Sequence, residues 1–361
     1  MTESESESAR TALHRRAQVA IDQKTKPLGA LGHLEAIAVR LAVLQGTLAP
    51  DVSHARVIVF AADHGVAADG VSAYPPQVTA EMMRNFARGG AAVCVLARAG
   101  GVDVEIVDVG VDADLAEELD AIAAAAGTRV VHGKVRRGSR NLRVEPAMTN
   151  AECDAAIAVG RAAVRRAAAD GVQAIGLGEM GIGNTTAASA LLGALTGLPP
   201  EATVGRGTGV DDERLAHKRA VVRAATVRAA VERHGASDRA DEARAALASL
   251  GGLELAAIAG AVLEAPAHGI AVMADGFIST VAALAAVRMV PEAADALFVA
   301  HRSAEHGHAA AIDALGMRPL LALDMRLGEG SGAALALPVL RAAAAVLREM
   351  ATFESAGVSR G

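Results

Sequence analysis

Six short apolar runs recur along the chain, at 56–60, 102–107, 172–177, 270–273, 296–299 and 319–323, and stretches with helical periodicity separate them. Strands that alternate with helices require crossover connections, which are right-handed, so the runs predict an α/β fold with a mostly parallel sheet flanked by helices. The length of 361 residues accommodates either one large domain or two smaller ones. Hydrophobic residues make up 52% of the chain and aromatic residues only 2%, which suits helices packed on a sheet of small branched side chains. The helical segments at the two ends lie outside this alternation. They predict a small helical domain formed by 11–50 together with 333–361, a large catalytic domain at 51–332, and a disordered acidic tail at 1–10.

In open parallel sheets the ligand sits beyond the carboxyl ends of the strands, so the residues after each run matter most. They are Ala62-Asp63-His64-Gly65, Asp108-Val109-Gly110-Val111, Gly178-Glu179-Met180-Gly181, Ala274-Asp275-Gly276, His301-Arg302-Ser303-Ala304-Glu305-His306 and, slightly later, Leu327-Gly328-Glu329-Gly330-Ser331-Gly332. Polar and glycine residues thus collect at one rim. The richest segment is Gly178-Glu179-Met180-Gly181-Ile182-Gly183-Asn184-Thr185-Thr186, read as a strand end, a glycine loop carrying Glu179, and a helix start. Glycines let backbone N–H groups approach a ligand, and a helix N-terminus offers unpaired donors and partial positive charge to a phosphate. A carboxylate in the same loop would repel a pyrophosphate, so the segment predicts a mononucleotide with ribose hydroxyls near Glu179.

Simpler readings stand beside these. Gly176-Leu177-Gly178-Glu179-Met180-Gly181 fits the bare dinucleotide pattern, but about 20 residues on stands Pro199-Pro200-Glu201 rather than a strand ending in an acid. Gly133-Lys134 is followed by Val135 and fails as a P-loop. His301, His306 and His308 with Glu305 invite a metal reading but match no helical zincin spacing, and histidines at a strand end also serve as ligand contacts or helix caps. Asp63 and Asp275 suit either ligand contact or capping of the next helix, and Lys218 reads from spacing alone as a solvated helix residue. Tyr74, the only tyrosine, either packs a proline-flanked turn or walls a site for a flat aromatic substrate. A net charge of −6 without a long basic block excludes an electrostatic footprint for nucleic acid or anionic membrane. Cys94 and Cys153, isolated in apolar helical contexts, predict buried free thiols and a reducing cytoplasm. The polar N-terminus lacks the pattern of a signal peptide, and no apolar run reads as long and charge-free enough to cross a bilayer.

Taken in order, Phe60-Ala61-Ala62-Asp63-His64-Gly65-Val66, Gly70-Val71-Ser72-Ala73-Tyr74-Pro75, Gly178 to Thr186, Ala274-Asp275-Gly276, His301 to Glu305 and Leu327 to Gly332 resemble the nicotinate-nucleotide:dimethylbenzimidazole phosphoribosyltransferase family. The likeness runs from Lys26-Pro27-Leu28-Gly29 to the C-terminal helix, with Pro76-Gln77, Ser139 and His306 as departures from the family pattern. It implies a Rossmann-like large domain, a homodimer, and phosphoribosyl transfer from nicotinate mononucleotide to 5,6-dimethylbenzimidazole in cobalamin biosynthesis, without metal or cofactor. It further implies Glu329 as general base, with Glu179 and Lys218 in the active site. Gly181, Ile182, Gly183, Asn184, Thr185, Thr186, Gly207, Asp275 and Ser303 would hold the nucleotide, and Ser72, Tyr74, Gln77, Leu327 and Gly328 would border the bases. The alternatives left open are a nicotinamide-dependent oxidoreductase and a non-catalytic mononucleotide sensor.

Overall fold

Each of the six apolar runs forms a strand: β1 (Ala55–Ala62), β2 (Asp103–Gly110), β4 (Ala174–Met180), β5 (Ala271–Ala274), β6 (Leu297–His301) and β7 (Pro319–Leu321). A seventh strand, β3 (Arg129–His132), carries no comparable signal in the sequence. It has only two apolar residues and no buried position, as suits an edge strand. This computed structural model describes residues 3–207, 209–232 and 238–359.

The strands are ordered β3-β2-β1-β4-β5-β6-β7, and every pairing is parallel. The first six follow the doubly wound Rossmann order, whose direction reverses between β1 and β4, and a crevice opens there beyond the strand ends. β1 is buried along its whole length. Its alternation sends Val57, Val59 and Ala61 into the apolar cluster on one face and Ile58, Phe60 and Ala62 into that on the other. Burying a side chain of this size contributes about 1.5–3 kcal/mol, so both faces of the central strand hold the layers together.

The helices Asn150–Ala169, Leu253–Glu264 and Phe277–Met289 cover one face. The other is covered by His33–Leu44, Ala92–Gly100 and Ser331–Glu349. The helices from the two ends of the chain pack together, and the cluster they join is that of the sheet face itself, so they share its core. The ends are also laced by backbone: Lys24 bridges Thr352, the Thr25 amide donates to Ala351 (3.0 Å) and the Phe353 amide to Gln23 (3.1 Å).

Two expectations need correction. The segment expected as a disordered tail at 1–10 is helical from Glu3, within the helix Glu3–Asp22; Met1 and Thr2 lie outside the described residues. No glycine or proline interrupts that segment, acidic residues favour a helix N-terminus, and Arg10 reaches Asp295 at 2.6 Å. The helix Ser331–Glu349 is, by length and composition, apolar enough to cross a membrane; here it serves as a layer of the core, with more than half of it buried against the sheet and its neighbours. The stretch 218–250 falls in the helices Asp212–Glu232 and Arg239–Leu250, and the latter turns its final residues into the core; 233–237 lie outside the described residues. Both cysteines are free and buried.

Candidate active site

A cavity of about 590 Å³ lies beyond the carboxyl ends of β1, β4, β5 and β6, at the reversal of strand order. β4 brings Glu179 and Met180 to it, and Gly181, Ile182, Asn184 and Thr185 continue its wall. Glu179 is therefore a strand residue rather than a member of the glycine loop. The helix Asn184–Thr196 begins immediately afterwards, with Gly183 at its N-cap in a left-handed conformation (φ 100°). Its first two residues, Asn184 and Thr185, line the cavity, which places the positive end of the helix dipole at the wall.

Two buried side chains reinforce this corner. Lys218, 1% exposed, donates from Nζ to Thr185 Oγ1 at 2.8 Å. Burial lowers the Lys218 ammonium to about 8, against the opposing influence of Glu305. Gly207 lies against the same pair, since a β-carbon there would sit 2.9 Å from Thr185 Oγ1 and 3.0 Å from Lys218 Nζ. Lys218 is not the solvated helix residue that spacing alone predicts; it stands directly behind the cavity wall.

The acidic side of the site is made by β4 and the segment after β7. Glu179 accepts a hydrogen bond from Asn184 Nδ2. Burial, then the charges of Asp275 and Glu254, raise its carboxyl well above the ordinary carboxylate range. Glu329 faces the same cavity, 8% exposed, and its Oε2 is buried with no hydrogen-bond partner among the described residues. Burial raises the Glu329 carboxyl too, and the Val93 amide, in the first turn of Ala92–Gly100, pulls the other way.

Glu329 adopts a left-handed backbone (φ 66°) between Gly328 (φ 86°) and Gly330 (φ 91°). Such a conformation costs a non-glycine residue about 1–2 kcal/mol, so the surroundings must impose it. Gly178 contributes by having no side chain: a β-carbon there would lie 2.2 Å from the Glu329 carbonyl oxygen.

Asp275 and Ser303 have different placements. Asp275 is fully buried and does not line the cavity; its Oδ1 accepts from the Ala333 amide (2.8 Å) and its Oδ2 from the Gly330 amide (3.2 Å). The sequence allows it to contact ligand or cap the next helix, whereas it caps Ser331–Glu349, 55 residues further along. Burial pushes Asp275 up to about 7 despite those amides. Ser303 lines the cavity, and its hydroxyl donates to the Met325 carbonyl (3.1 Å) while accepting from the Glu305 amide (3.2 Å).

Tyr74, Leu327 and Gly328 line the mouth, where Tyr74 is half exposed. Ser72, Gln77, Gly183 and Thr186 are close in sequence to lining residues but are not among them. Ser72 Oγ accepts from the Tyr74 amide (3.2 Å), and Gln77 precedes the helix Val78–Ala87. Val78, Met82, Ile278 and Arg326 also line the cavity, and no motif marked them. His301 and Glu305 do so as well, from the recognised 301–305 segment.

The histidines diverge. His308 Nδ1 accepts from the Ser303 amide (2.9 Å), so its other nitrogen carries the proton and donates to Thr280 Oγ1 (3.0 Å). Burial and the neighbouring His301 and Arg302 lower it to about 3, which keeps it neutral. His306 Nε2 meets the Glu201 carbonyl. Among the described residues no group of three or more His, Cys, Asp or Glu is arranged to hold a metal ion.

Open α/β sheets bind ligands at such a switch point, and a family model described as a phosphoribosyltransferase matches residues 6–358, which makes the protein a phosphoribosyltransferase. Nicotinate-nucleotide–dimethylbenzimidazole phosphoribosyltransferase from Chromobacterium violaceum is 49% identical over 352 residues, covering 98% of this chain and 96% of that protein. The enzyme of the same description from Thermus thermophilus is 50% identical over 345 residues, covering 96% and 98%. The crystal structure of CobT from Thermus thermophilus superposes with a TM-score of 0.88 at 48% identity, over 97% of this chain and 100% of that one. The chain belongs to the nicotinate-nucleotide–dimethylbenzimidazole phosphoribosyltransferase family. The oxidoreductase and sensor alternatives find no support in these comparisons.

Proposed function

We propose that the cavity transfers phosphoribose from nicotinate mononucleotide to 5,6-dimethylbenzimidazole, releasing α-ribazole 5′-phosphate, nicotinate and a proton, with Glu329 accepting that proton. The observation that carries this reading is the Glu329 carboxyl, buried in the cavity wall with a free oxygen. In nicotinate mononucleotide the ribose carbon is bonded to a pyridinium nitrogen. The C–N bond breaks with its electron pair going to nicotinate, so the leaving group needs no acid. The attacking benzimidazole nitrogen supplies the new pair, and as its bond to carbon forms the remaining N–H becomes acidic. A carboxylate within reach takes that proton, and a base whose pKa lies closer to neutrality does so more effectively.

Attack opposite the departing pyridine inverts the anomeric carbon from β to α, as in single-displacement sugar chemistry generally. Glu179 would face the ribose, where cationic charge develops and draws its carboxyl toward the anionic form. The helix start at Asn184, with Thr185, Lys218 and Gly207, suits the 5′-phosphate. Holding two flat bases on either side of one carbon supplies much of the remaining acceleration. We extend the reading to a homodimer in the cytoplasm, which light scattering and cell fractionation test.

The deciding experiment incubates the purified protein with both substrates in chelator, separates products by chromatography with mass detection, and runs Glu329→Gln alongside. Stoichiometric nicotinate and α-ribazole phosphate from the wild type alone support the reading. Mononucleotide binding without nicotinate release overturns it.

A further inference from the structure

Asp275 is a fully buried carboxylate at the end of β5, adjacent to the cavity but not part of its wall. Its two oxygens are engaged by main-chain amides, Gly330 at 3.2 Å and Ala333 at 2.8 Å. Those amides follow Glu329 directly and open the helix Ser331–Glu349. The segment they anchor is the one whose backbone is left-handed at three successive residues, 328, 329 and 330. A turn from the Ser331 amide to the Gly328 carbonyl (3.0 Å) closes it locally, and Gly178 leaves room beneath it. The side chain of Glu329 is held on one side only, by the Val93 amide, and its Oε2 has no partner among the described residues, so the backbone of the segment sets where the carboxyl points.

We infer that Asp275 is a positioning residue for Glu329: by accepting from both Gly330 and Ala333 it locks the strained segment that presents the base to the acceptor, and it does not contact the nucleotide. This rests on the proposed role of Glu329. Only a carboxylate can satisfy both amides. An asparagine offers one acceptor and turns an NH₂ toward the other N–H, so the clamp is halved while size and burial are kept.

The test compares the wild type, Asp275→Asn, Glu329→Gln and the double variant in steady-state turnover, with calorimetric titration of nicotinate mononucleotide. Asp275→Asn is expected to lower kcat by about 10²-fold, the scale of a 1 Å misplacement of a reacting group, and to leave KM and Kd for the mononucleotide within about twofold. The double variant is expected to be no slower than Glu329→Gln alone, because both changes remove one function. A raised Kd at unchanged kcat, or losses that multiply in the double variant, overturns the inference and makes Asp275 a nucleotide contact. Wild-type kcat in Glu329→Gln instead removes the base itself, a failure visible in that single variant. Should Asp275→Asn not fold, an amide-to-ester substitution at Ala333 removes that donor without adding bulk to its buried site; the same fall in kcat at constant KM is expected, and unchanged kcat overturns the inference.

Discussion

Gly178 of β4 lies so close beneath Glu329 that a β-carbon on it would stand 2.2 Å from the Glu329 carbonyl oxygen. The glycine pattern of this strand therefore serves the approach of a remote loop rather than a phosphate. Gly178→Ala is expected to destabilise the protein by about 1–3 kcal/mol through overpacking and to cut turnover by more than its effect on folding, because the obstructing atoms are backbone. Thermal melts alongside kcat check this; full activity at wild-type Tm would show that the loop has room to move.

Glu329→Gln is expected to retain mononucleotide affinity and to lose about 10²–10⁴-fold in turnover, the usual contribution of a general base. A base in the proposed role works deprotonated, and burial raises the Glu329 carboxyl above the ordinary range, so wild-type turnover is expected to decline as pH falls, starting at a higher pH than for an exposed glutamate. A kcat–pH profile whose acid limb is unchanged in Glu329→Gln contradicts the assignment.

Lys218→Met is expected to raise KM for nicotinate mononucleotide about 10- to 100-fold, the scale of a charged hydrogen bond, with a smaller effect on the affinity for free nicotinate, which carries no phosphate. Because burial lowers Lys218 to about 8, the free enzyme loses this charge as pH rises through that value, so mononucleotide binding weakens on the alkaline side. Calorimetry at pH 7 and 9 measures both effects, and equal affinities at the two pH values would place the phosphate elsewhere.

Cys153 is fully buried and its thiol is pushed up to about 12, and Cys94 is raised by burial in the same direction. Neither is expected to react with a thiol reagent at pH 8 until the protein unfolds, since only thiolate attacks. Rapid labelling of native protein would contradict this burial.

Much of the frame could be read from the chain because its signals are local. Apolar runs of four to eight residues mark β1 and β4, and Gly181 to Thr186 announces a helix start without reference to anything distant. What could not be read is set by tertiary approach. Lys218 has the sequence context of a solvated residue and is buried because Thr185 and Gly207 meet it in space. Asp275 follows a strand like any helix cap, yet its amide partners come from the other side of β6 and β7. Arg326 and Met82 carry no pattern at all and reach the cavity only because the sheet gathers its strand ends there.

The base and the helix covering one face of the sheet are contiguous, at 329–349, and follow every strand in chain order. During synthesis the Thr185–Lys218 contact, complete once residue 218 has emerged, therefore precedes Glu329, and the face formed by Val57 and Val59, already flanked by His33–Leu44 and Ala92–Gly100, gains its last helix only when the same late segment docks. The residue proposed as base and the last layer of that face thus arrive in one segment, so a chain interrupted before residue 329 lacks both at once.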